Sequence, residues 1–439
     1  MIERELAAAQ VVVVLWSSSS RDSQWVRREA REAQERGILC PALIADCKIP
    51  LEFSDAHAAN LIGRRAGDRA HAEWKRLCDA ARRRVKPTER APPADETPDK
   101  LGTVILRGHA DHVWTAMFSP DGKRIITDCK DHVAYLWDAT TYAQIAKLRG
   151  NVGYAPSAAF SSDGTRVVTH SLGKACVWDA LTGEIIDTFG GNVFKGDYHY
   201  VWSAALSSDG AYVATASTEK VARVWNVATR GHGDAHVAEM VGHKGELRSS
   251  VFSGDGTRIV TASEDKTARI WDTASGKQID VLRGHEDLVW NAIFSPDSAR
   301  IATTSFDDTV RLWNAATGKL IAVLPVQNVE FSPDGNRVVT GSRDKTACVW
   351  NAATGAKLVV LRGHQDGVTS SAFSPDGSRV VTASRDGTAC VWNASTGAQI
   401  AALNGHEGVV QSAAFSPDGR RVVTASEDKT ARVWRIDEA

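Results

Sequence analysis

The stretch GHEGVVQSAAFSPDGRRVVTASEDKTARVW, residues Gly405–Trp434, has a near copy 42 residues earlier, GHQDGVTSSAFSPDGSRVVTASRDGTACVW at Gly363–Trp392. Related stretches recur along the chain. Each of them ends in a tryptophan: Trp137, Trp178, Trp225, Trp271, Trp313, Trp350, Trp392 and Trp434. Eight repeats spaced by 37 to 47 residues indicate an architecture in which one small unit is used again and again.

Each repeat has the pattern of short strands joined by tight turns. In the last repeat the segment SAAF is followed by the turn SPDG, the strand RRVVTAS, the turn EDKT and the alternating strand ARVW. Earlier repeats continue through a turn such as NAATGK into a fourth strand such as LIAVL. Four strands per repeat, arranged around an axis, are typical of a β-propeller.

The two ends of the repeat region complement each other. The last repeat lacks its fourth strand, and Thr103–Leu106, ahead of the first repeat, supplies an unpaired one. Pairing these ends would close the ring and remove exposed strand edges. We predict an all-β propeller of eight four-stranded blades, with seven blades plus an irregular unit as the alternative.

The Gly-His pairs, the closing tryptophan and the spacing resemble the WD-repeat family over about residues 101–436. The resemblance implies that a His, a Thr, an Asp and the Trp of a repeat form a buried hydrogen-bonded tetrad, which stiffens a blade when every member is paired. The sequence leaves open whether the Thr or the Ser two residues later makes the bond. Five repeats keep the whole set, and we expect these five copies to be structural rather than catalytic: His109, Thr127, Asp131 and Trp137; His243, Thr261, Asp265 and Trp271; His285, Thr303, Asp307 and Trp313; His364, Thr382, Asp386 and Trp392; and His406, Thr424, Asp428 and Trp434.

Three repeats depart from this set. Asn151 replaces the histidine of the second repeat, Glu219 replaces the aspartate of the third, and LPVQNVEF in the sixth omits the Gly-His loop. Such departures are consistent either with function or with drift.

A binding face is expected where the innermost strands begin. In the WD-repeat family the residue after the first apolar residue of that strand looks onto this face, and here it reads Trp114, Pro156, Trp202, Arg248, Trp290, Thr369 and Gln411. The residue before the turn aspartate adds Phe306, Arg343 and Arg385 beside Glu264 and Glu427. Aromatic and arginine side chains dominate interface hot spots, so we predict a protein- or peptide-binding face around Trp114, Trp202 and Trp290. Inward packing of these tryptophans against neighbouring blades is the alternative.

Residues 1–84 have a different pattern. QVVVVLW and ILCPALIA are continuous apolar runs of the kind that a parallel sheet buries on both faces, and Asp22–Arg36 and Ala72–Arg84 are predicted helices. Four prolines in Val85–Lys100 predict an extended linker. We therefore expect an α/β, flavodoxin-like partial domain at 1–84, a linker at 85–100 and the propeller at 101–439.

The stretch DSQWVRREAREAQERG (Asp22–Gly37) places Trp25 and Glu29 on one helix face. With the two apolar runs, it resembles the second half of a bacterial Toll/interleukin-receptor (TIR) domain across residues 1–84. The resemblance implies self-association between TIR surfaces, and Glu29 as the catalytic residue of NAD cleavage, where it contacts the nicotinamide ribose. The first half of that pocket would have to come from a longer chain, if Met1 is not the true start, or from another chain; otherwise Trp25 and Glu29 form a packing face.

Composition narrows the class of partner. The chain has 52 Lys and Arg residues and 53 Asp and Glu residues, so it lacks the basic excess that binding to nucleic acid or an anionic membrane requires. It also contains no run of 18 apolar residues. Seven scattered cysteines indicate free thiols in a reducing cytoplasm, and HGDAH offers a His pair without a third ligand, so no metal is expected. The favoured interpretation is a scaffold or sensor with a TIR signalling module, in which the propeller binds a protein partner. The alternative is an NAD glycohydrolase activated by clustering, with NAD as its substrate.

Overall fold

The computed structural model describes residues 12–16, 39–43, 59–60, 103–149, 157–171, 174–189, 200–227, 236–326 and 328–436. The chain divides into two compact units, Met1–Thr97 and Pro98–Ala439. No membrane-spanning helix is found among the described residues.

The described part of the first unit is a small parallel sheet. Its strands are β1 (Val12–Trp16), β2 (Leu39–Leu43) and β3 (Ala59–Asn60), paired in the order β1-β2-β3. The two apolar runs that the sequence predicts as parallel strands therefore form β1 and β2 and pair in parallel.

The remaining predictions for this unit lie outside the described residues. They are the helices at Asp22–Arg36 and Ala72–Arg84 and the linker at Val85–Lys100. The described residues of this unit form strands only, and they do not support the predicted α/β, TIR-type class.

The second unit is a propeller of eight four-stranded sheets, which we number as blades 1 to 8 in the order of their closing tryptophans. Blade 1 holds β5–β8, blade 2 β9–β12, blade 3 β13–β16, blade 4 β17–β20, blade 5 β21–β24, blade 6 β25–β28, blade 7 β29–β32, and blade 8 β33–β35 with β4. The strands are β4 Val104–Leu106, β5 Val113–Phe118, β6 Arg124–Cys129, β7 Ala134–Asp138, β8 Gln144–Leu148, β9 Ser157–Phe160, β10 Arg166–Ser171, β11 Lys174–Asp179, β12 Ile185–Phe189, β13 Val201–Leu206, β14 Tyr212–Ser217, β15 Val221–Asn226, β16 His236–Val241, β17 Leu247–Phe252, β18 Arg258–Ser263, β19 Thr267–Asp272, β20 Gln278–Arg283, β21 Val289–Phe294, β22 Arg300–Ser305, β23 Val310–Asn314, β24 Leu320–Leu324, β25 Glu330–Phe331, β26 Arg337–Gly341, β27 Thr346–Asn351, β28 Lys357–Arg362, β29 Val368–Phe373, β30 Arg379–Ser384, β31 Ala389–Asn393, β32 Gln399–Leu403, β33 Val410–Phe415, β34 Arg421–Ser426 and β35 Ala431–Arg435.

The core lies between blades. Eight apolar clusters occur, one at each boundary, and each closing tryptophan packs against the blade that precedes its own. At the boundary of blades 7 and 8, for example, Trp434 packs with Val391 and Leu403. A fully buried tryptophan removes about 150–250 Å² from water, so these clusters are the main apolar contribution to the fold.

The ring closes as predicted. β4 pairs antiparallel with β35, with Leu106 opposite Ala431 and Val104 opposite Val433. The first strands of neighbouring blades also contact one another around the axis, including β33 of blade 8 and β5 of blade 1. Eight complete blades exclude the alternative of seven blades plus an irregular unit.

An arginine clip, which the sequence analysis missed, links consecutive blades. The arginine that opens the second strand donates to a backbone carbonyl in the next blade: Arg379 lies 2.6 Å from the Gly419 oxygen, and its guanidinium lies over the Phe415 ring. At the boundary of blades 1 and 2, the equivalent Arg124 instead lies 3.8 Å from Asp121 of its own turn. The other described clips are made by Arg166, Arg258, Arg300, Arg337 and Arg421.

A buried carboxylate marks that same boundary of blades 1 and 2. Asp128 is 1% exposed, and its Oδ2 accepts from the Thr115 hydroxyl at 3.0 Å and from the Ala158 N–H of blade 2 at 2.7 Å. Its Oδ1 is buried without a hydrogen-bond partner. Burial raises the pKa of Asp128 to about 7, although the two donors oppose the rise.

We predict that Asp128→Asn increases the stability of the protein relative to wild type, and that this gain is larger at pH 8 than at pH 5. A folded-state pKa above the unfolded value means that ionisation costs stability as pH rises toward 7, by as much as about 4 kcal/mol once complete. Thermal unfolding midpoints of wild type and variant should therefore diverge between pH 5 and pH 8. Asp138→Asn is the control: burial alone would raise the pKa of Asp138, but hydrogen bonds from its turn outweigh it and lower that pKa, so the carboxylate stays ionised over this range. A difference between Asp128→Asn and wild type that is the same at both pH values would contradict the prediction.

Candidate functional site

Four of the five predicted tetrads are closed networks of hydrogen-bonded side chains, each within one blade. In blade 8 the Trp434 indole N–H donates to Thr424 Oγ1 at 2.9 Å, and Thr424 Oγ1 lies 2.7 Å from His406 Nε2. His406 Nδ1 lies 2.7 Å from Asp428 Oδ2. Blades 4, 5 and 7 repeat this arrangement around Thr261, Thr303 and Thr382.

The threonine, not the serine, is the centre of the tetrad. Ser426 Oγ instead donates to the Gly408 carbonyl at 3.2 Å and accepts from the Asp428 N–H at 3.1 Å. The serine thus orders the turn that presents the aspartate, and this resolves the alternative that the sequence left open.

The charge states suit a structural role. Burial lowers the pKa of His243, His285 and His406, although the neighbouring aspartates oppose the effect. Burial alone would raise the pKa of Asp428, but hydrogen bonds from His406 and Thr430 outweigh it and hold that pKa well below its usual range. A neutral imidazole therefore donates from Nδ1 to a carboxylate and accepts at Nε2 from the threonine hydroxyl, which leaves no free base at the surface.

The blade 1 tetrad does not close. His109 Nε2 lies 2.8 Å from Thr127 Oγ1, but Asp131 Oδ2 accepts from the Tyr135 hydroxyl at 2.7 Å. His109 Nδ1 is buried without a partner, and burial lowers the pKa of His109 to about 4. Tyr135 stands where blades 4, 5 and 8 carry arginine, which is the sequence signal that could have revealed the difference.

In blades 4 and 8, two positions lie side by side on the predicted binding face. They are the second residue of the first strand and the residue before the turn aspartate. In blade 8 the Gln411 amide donates to Glu427 at 2.7 Å, and in blade 4 Arg248 forms an ion pair with Glu264. We call these two positions the face pair of a blade.

The face pair of blade 5 is aromatic and open to water. Trp290 is 49% exposed and Phe306 is 62% exposed. Both side chains line a cleft of about 760 Å³ that also reaches Arg343 of blade 6 and Arg385 of blade 7. This volume falls in the range of ligand-binding clefts.

The cleft lies over blade 6 because that blade lacks its entry loop. Its repeat, from Trp313 to Trp350, spans 37 residues instead of 42. A tight turn in which the Val326 N–H donates to the Leu324 carbonyl at 2.9 Å replaces the Gly-His loop. The omission that the sequence showed in LPVQNVEF therefore creates a recess between the loops of blades 5 and 7.

Three of the residues predicted for the binding face lie elsewhere. Trp114, Trp202 and Arg248 do not line the cleft. The Arg248 guanidinium lies 4.3 Å from the centre of the Trp202 ring and covers it, and Trp202 Nε1 is buried without a partner. Trp114 is partly buried, with the His112 ring 6.4 Å away. Of the three predicted tryptophans, Trp290 is the one that faces the cleft.

The predicted catalytic residue, Glu29, and its neighbour Trp25 lie outside the described residues. Across the part of the chain that the structure describes, no group of three or more His, Cys, Asp or Glu side chains could hold a metal ion.

We predict that Thr382→Val destabilises the protein more than Thr340→Val. In blade 7 the change leaves both the Trp392 N–H and His364 Nε2 without a partner, whereas in blade 6 it leaves the Trp350 N–H alone. Each buried group left unpaired costs about 1–3 kcal/mol, so the loss should be roughly twice as large in blade 7.

The two threonines are well matched, because each hydroxyl also lies 3.4 Å from the carbonyl of the cysteine on the next strand. Thermal and chemical denaturation of both variants measure the difference. Equal losses would show that the histidine contributes nothing through the threonine.

Comparisons with known proteins agree with this geometry. Segments 100–138, 185–226, 235–272, 276–314, 318–351, 355–393 and 397–435 match the family described as WD domain, G-beta repeat. Most of blade 2, whose repeat departs from the tetrad pattern, falls between the first two segments. There is no match to a TIR domain.

Among solved structures, the crystal structure of the computationally designed Ika8 protein is similar, at 26% identity and a TM-score of 0.65, covering 76% of this chain and 98% of that one. No curated protein matches the chain. The family matches span more than half of the chain, and it therefore belongs to the WD-repeat family.

Proposed function

We propose that the protein is an interaction scaffold whose propeller holds a segment of a partner protein in the cleft over blade 6. The observation that carries this proposal is the exposed aromatic face pair, Trp290 and Phe306, at the wall of a recess over blade 6, whose repeat lacks the Gly-His loop that blades 4, 5, 7 and 8 keep. Large aromatic side chains left open to water at a concave site are typical of binding hot spots.

The buried polar groups support binding rather than chemistry on the propeller. The histidines and aspartates of the closed tetrads are paired with one another and with threonine, so they are not available as acids, bases or nucleophiles. In the propeller, Cys129, Cys176, Cys348 and Cys390 are free and buried, which fits the proposed location in a reducing cytoplasm.

The finer interpretations of the first unit remain predictions from sequence. TIR signalling, TIR self-association and NAD cleavage through Glu29 all rest on the resemblance of residues 1–84, and no geometry of the described residues adds to it. Loss of NAD in cells that express the protein, abolished by Glu29→Ala, would be the result that favours the enzyme.

The test of the proposed function is selection of random peptides from a display library on the immobilised full chain. Selected peptides should bind in solution, and Trp290→Ala combined with Phe306→Ala should weaken binding about tenfold or more. The control combines Leu181→Ala with Leu358→Ala, which remove apolar side chains of similar exposure from the outer part of blades 2 and 6.

The control variant should bind like wild type, and both variants should keep the wild-type unfolding midpoint. The proposal is overturned if no peptide is selected, or if selected peptides bind the Trp290 and Phe306 variant as tightly as wild type.

A further inference from the structure

We infer that the cleft takes an acidic segment, in which carboxylates bind Arg343 and Arg385 while a neighbouring apolar side chain rests on Trp290 and Phe306. This inference rests on the proposed function and names the chemistry of the partner.

The two arginines differ from the glutamates that two other blades carry at this position. In blades 4 and 8 the residue before the turn aspartate is a glutamate. Each glutamate binds the other member of its face pair, which is Arg248 in blade 4 and Gln411 in blade 8. In blades 6 and 7 this residue is Arg343 or Arg385, both exposed. Among the described residues, neither guanidinium has a carboxylate within ion-pair distance.

The first strand of blade 7 cannot satisfy Arg385. The face-pair partner is Thr369, and its hydroxyl donates to the Val410 carbonyl of blade 8 at 2.6 Å. Threonine also carries no charge. The Arg385 guanidinium is therefore left for a ligand.

Backbone contacts hold the two arginines on one wall. The Val368 N–H of blade 7 donates to the Ser342 carbonyl of blade 6 at 2.9 Å, and the Arg385 N–H donates to the Gly367 carbonyl at 2.9 Å. Gly367 lies between the arginines: a Cβ there would be 3.4 Å from Arg343 Cα and 3.7 Å from Arg385 Cδ. Two cations held side by side without counter-ions attract an anionic ligand and match a pair of carboxylates.

The opposite wall has the complementary character. Blade 5 contributes Trp290 and Phe306 together with the exposed carboxylates of Asp287 and Asp308. These carboxylates repel an acidic group from blade 5 and direct it toward blades 6 and 7. The aromatic rings on the blade 5 side then accept the apolar neighbour, which fixes the orientation of the bound segment.

The floor of the cleft is polar without being charged. It includes Asn291 and Asn328, and the Asn328 amide donates to the Thr369 carbonyl at 2.9 Å. Uncharged amides leave the selection between acidic and basic ligands to the two walls.

The experiment compares peptides selected from the same random library on three full-length proteins. They are wild type, Arg343→Glu with Arg385→Glu, and a control with Lys345→Glu and Lys429→Glu. The control makes the same change in net charge at two exposed turn residues that do not line the cleft. Wild type and control should enrich Asp or Glu next to an apolar residue. The arginine reversal should lose this enrichment and bind the wild-type peptides about tenfold or more weakly.

The outcomes separate this inference from the proposed function. Peptides that depend on Trp290 and Phe306 but bind the arginine reversal normally would overturn the acidic preference and leave the scaffold function standing. Failure to select any peptide would overturn both. Arginine-dependent binding of inorganic phosphate or an oligothymidylate as tight as that of the peptides would show a general anion site and overturn the assignment to a protein segment.

Discussion

One hydroxyl group in each blade supports the rest of the propeller. In all eight blades the threonine of the second strand accepts the indole N–H of the closing tryptophan, at 2.8 or 2.9 Å. The same tryptophan fills the apolar boundary with the preceding blade, so this bond connects the interior of a sheet to its neighbour. The histidine and aspartate extend it toward the entry loop but are not required for it, because blade 6 keeps the bond between Thr340 and Trp350 without them.

Because the Thr–Trp bond does not need the histidine and aspartate of the entry loop, the loops can vary while the ring persists. The tryptophan side chain and its hydrogen bond are buried deep in the blade, whereas the Gly-His loop lies at the face. Removal of that loop in blade 6 leaves its boundary clusters intact and opens a recess beside exposed aromatic and cationic residues. A propeller of this kind can therefore acquire a cleft without rebuilding its core.

The features that the sequence predicted are those with local causes. Alternating strands, Pro-Asp-Gly turns and the repeated tryptophan depend on residues close together in the chain, and the closing strand at Thr103–Leu106 followed from counting them. The arginine clips were missed because Arg379 reaches a carbonyl 40 residues away, in another blade. Likewise, Trp290, Phe306, Arg343 and Arg385 were each named from aligned positions. Their meeting in one cleft depends on how the shortened loop places three blades.

Closure through β4 has a consequence for synthesis of the protein. The strand Val104–Leu106 can find its partner Ala431–Val433 only after more than 300 further residues have been made. At a translation rate of about 5–20 residues per second, the first blade waits roughly 15–60 seconds with one face uncovered. During that interval the nascent chain is an open arc whose terminal blade exposes apolar surface and an unpaired strand edge, which makes it more prone to aggregation than the closed ring.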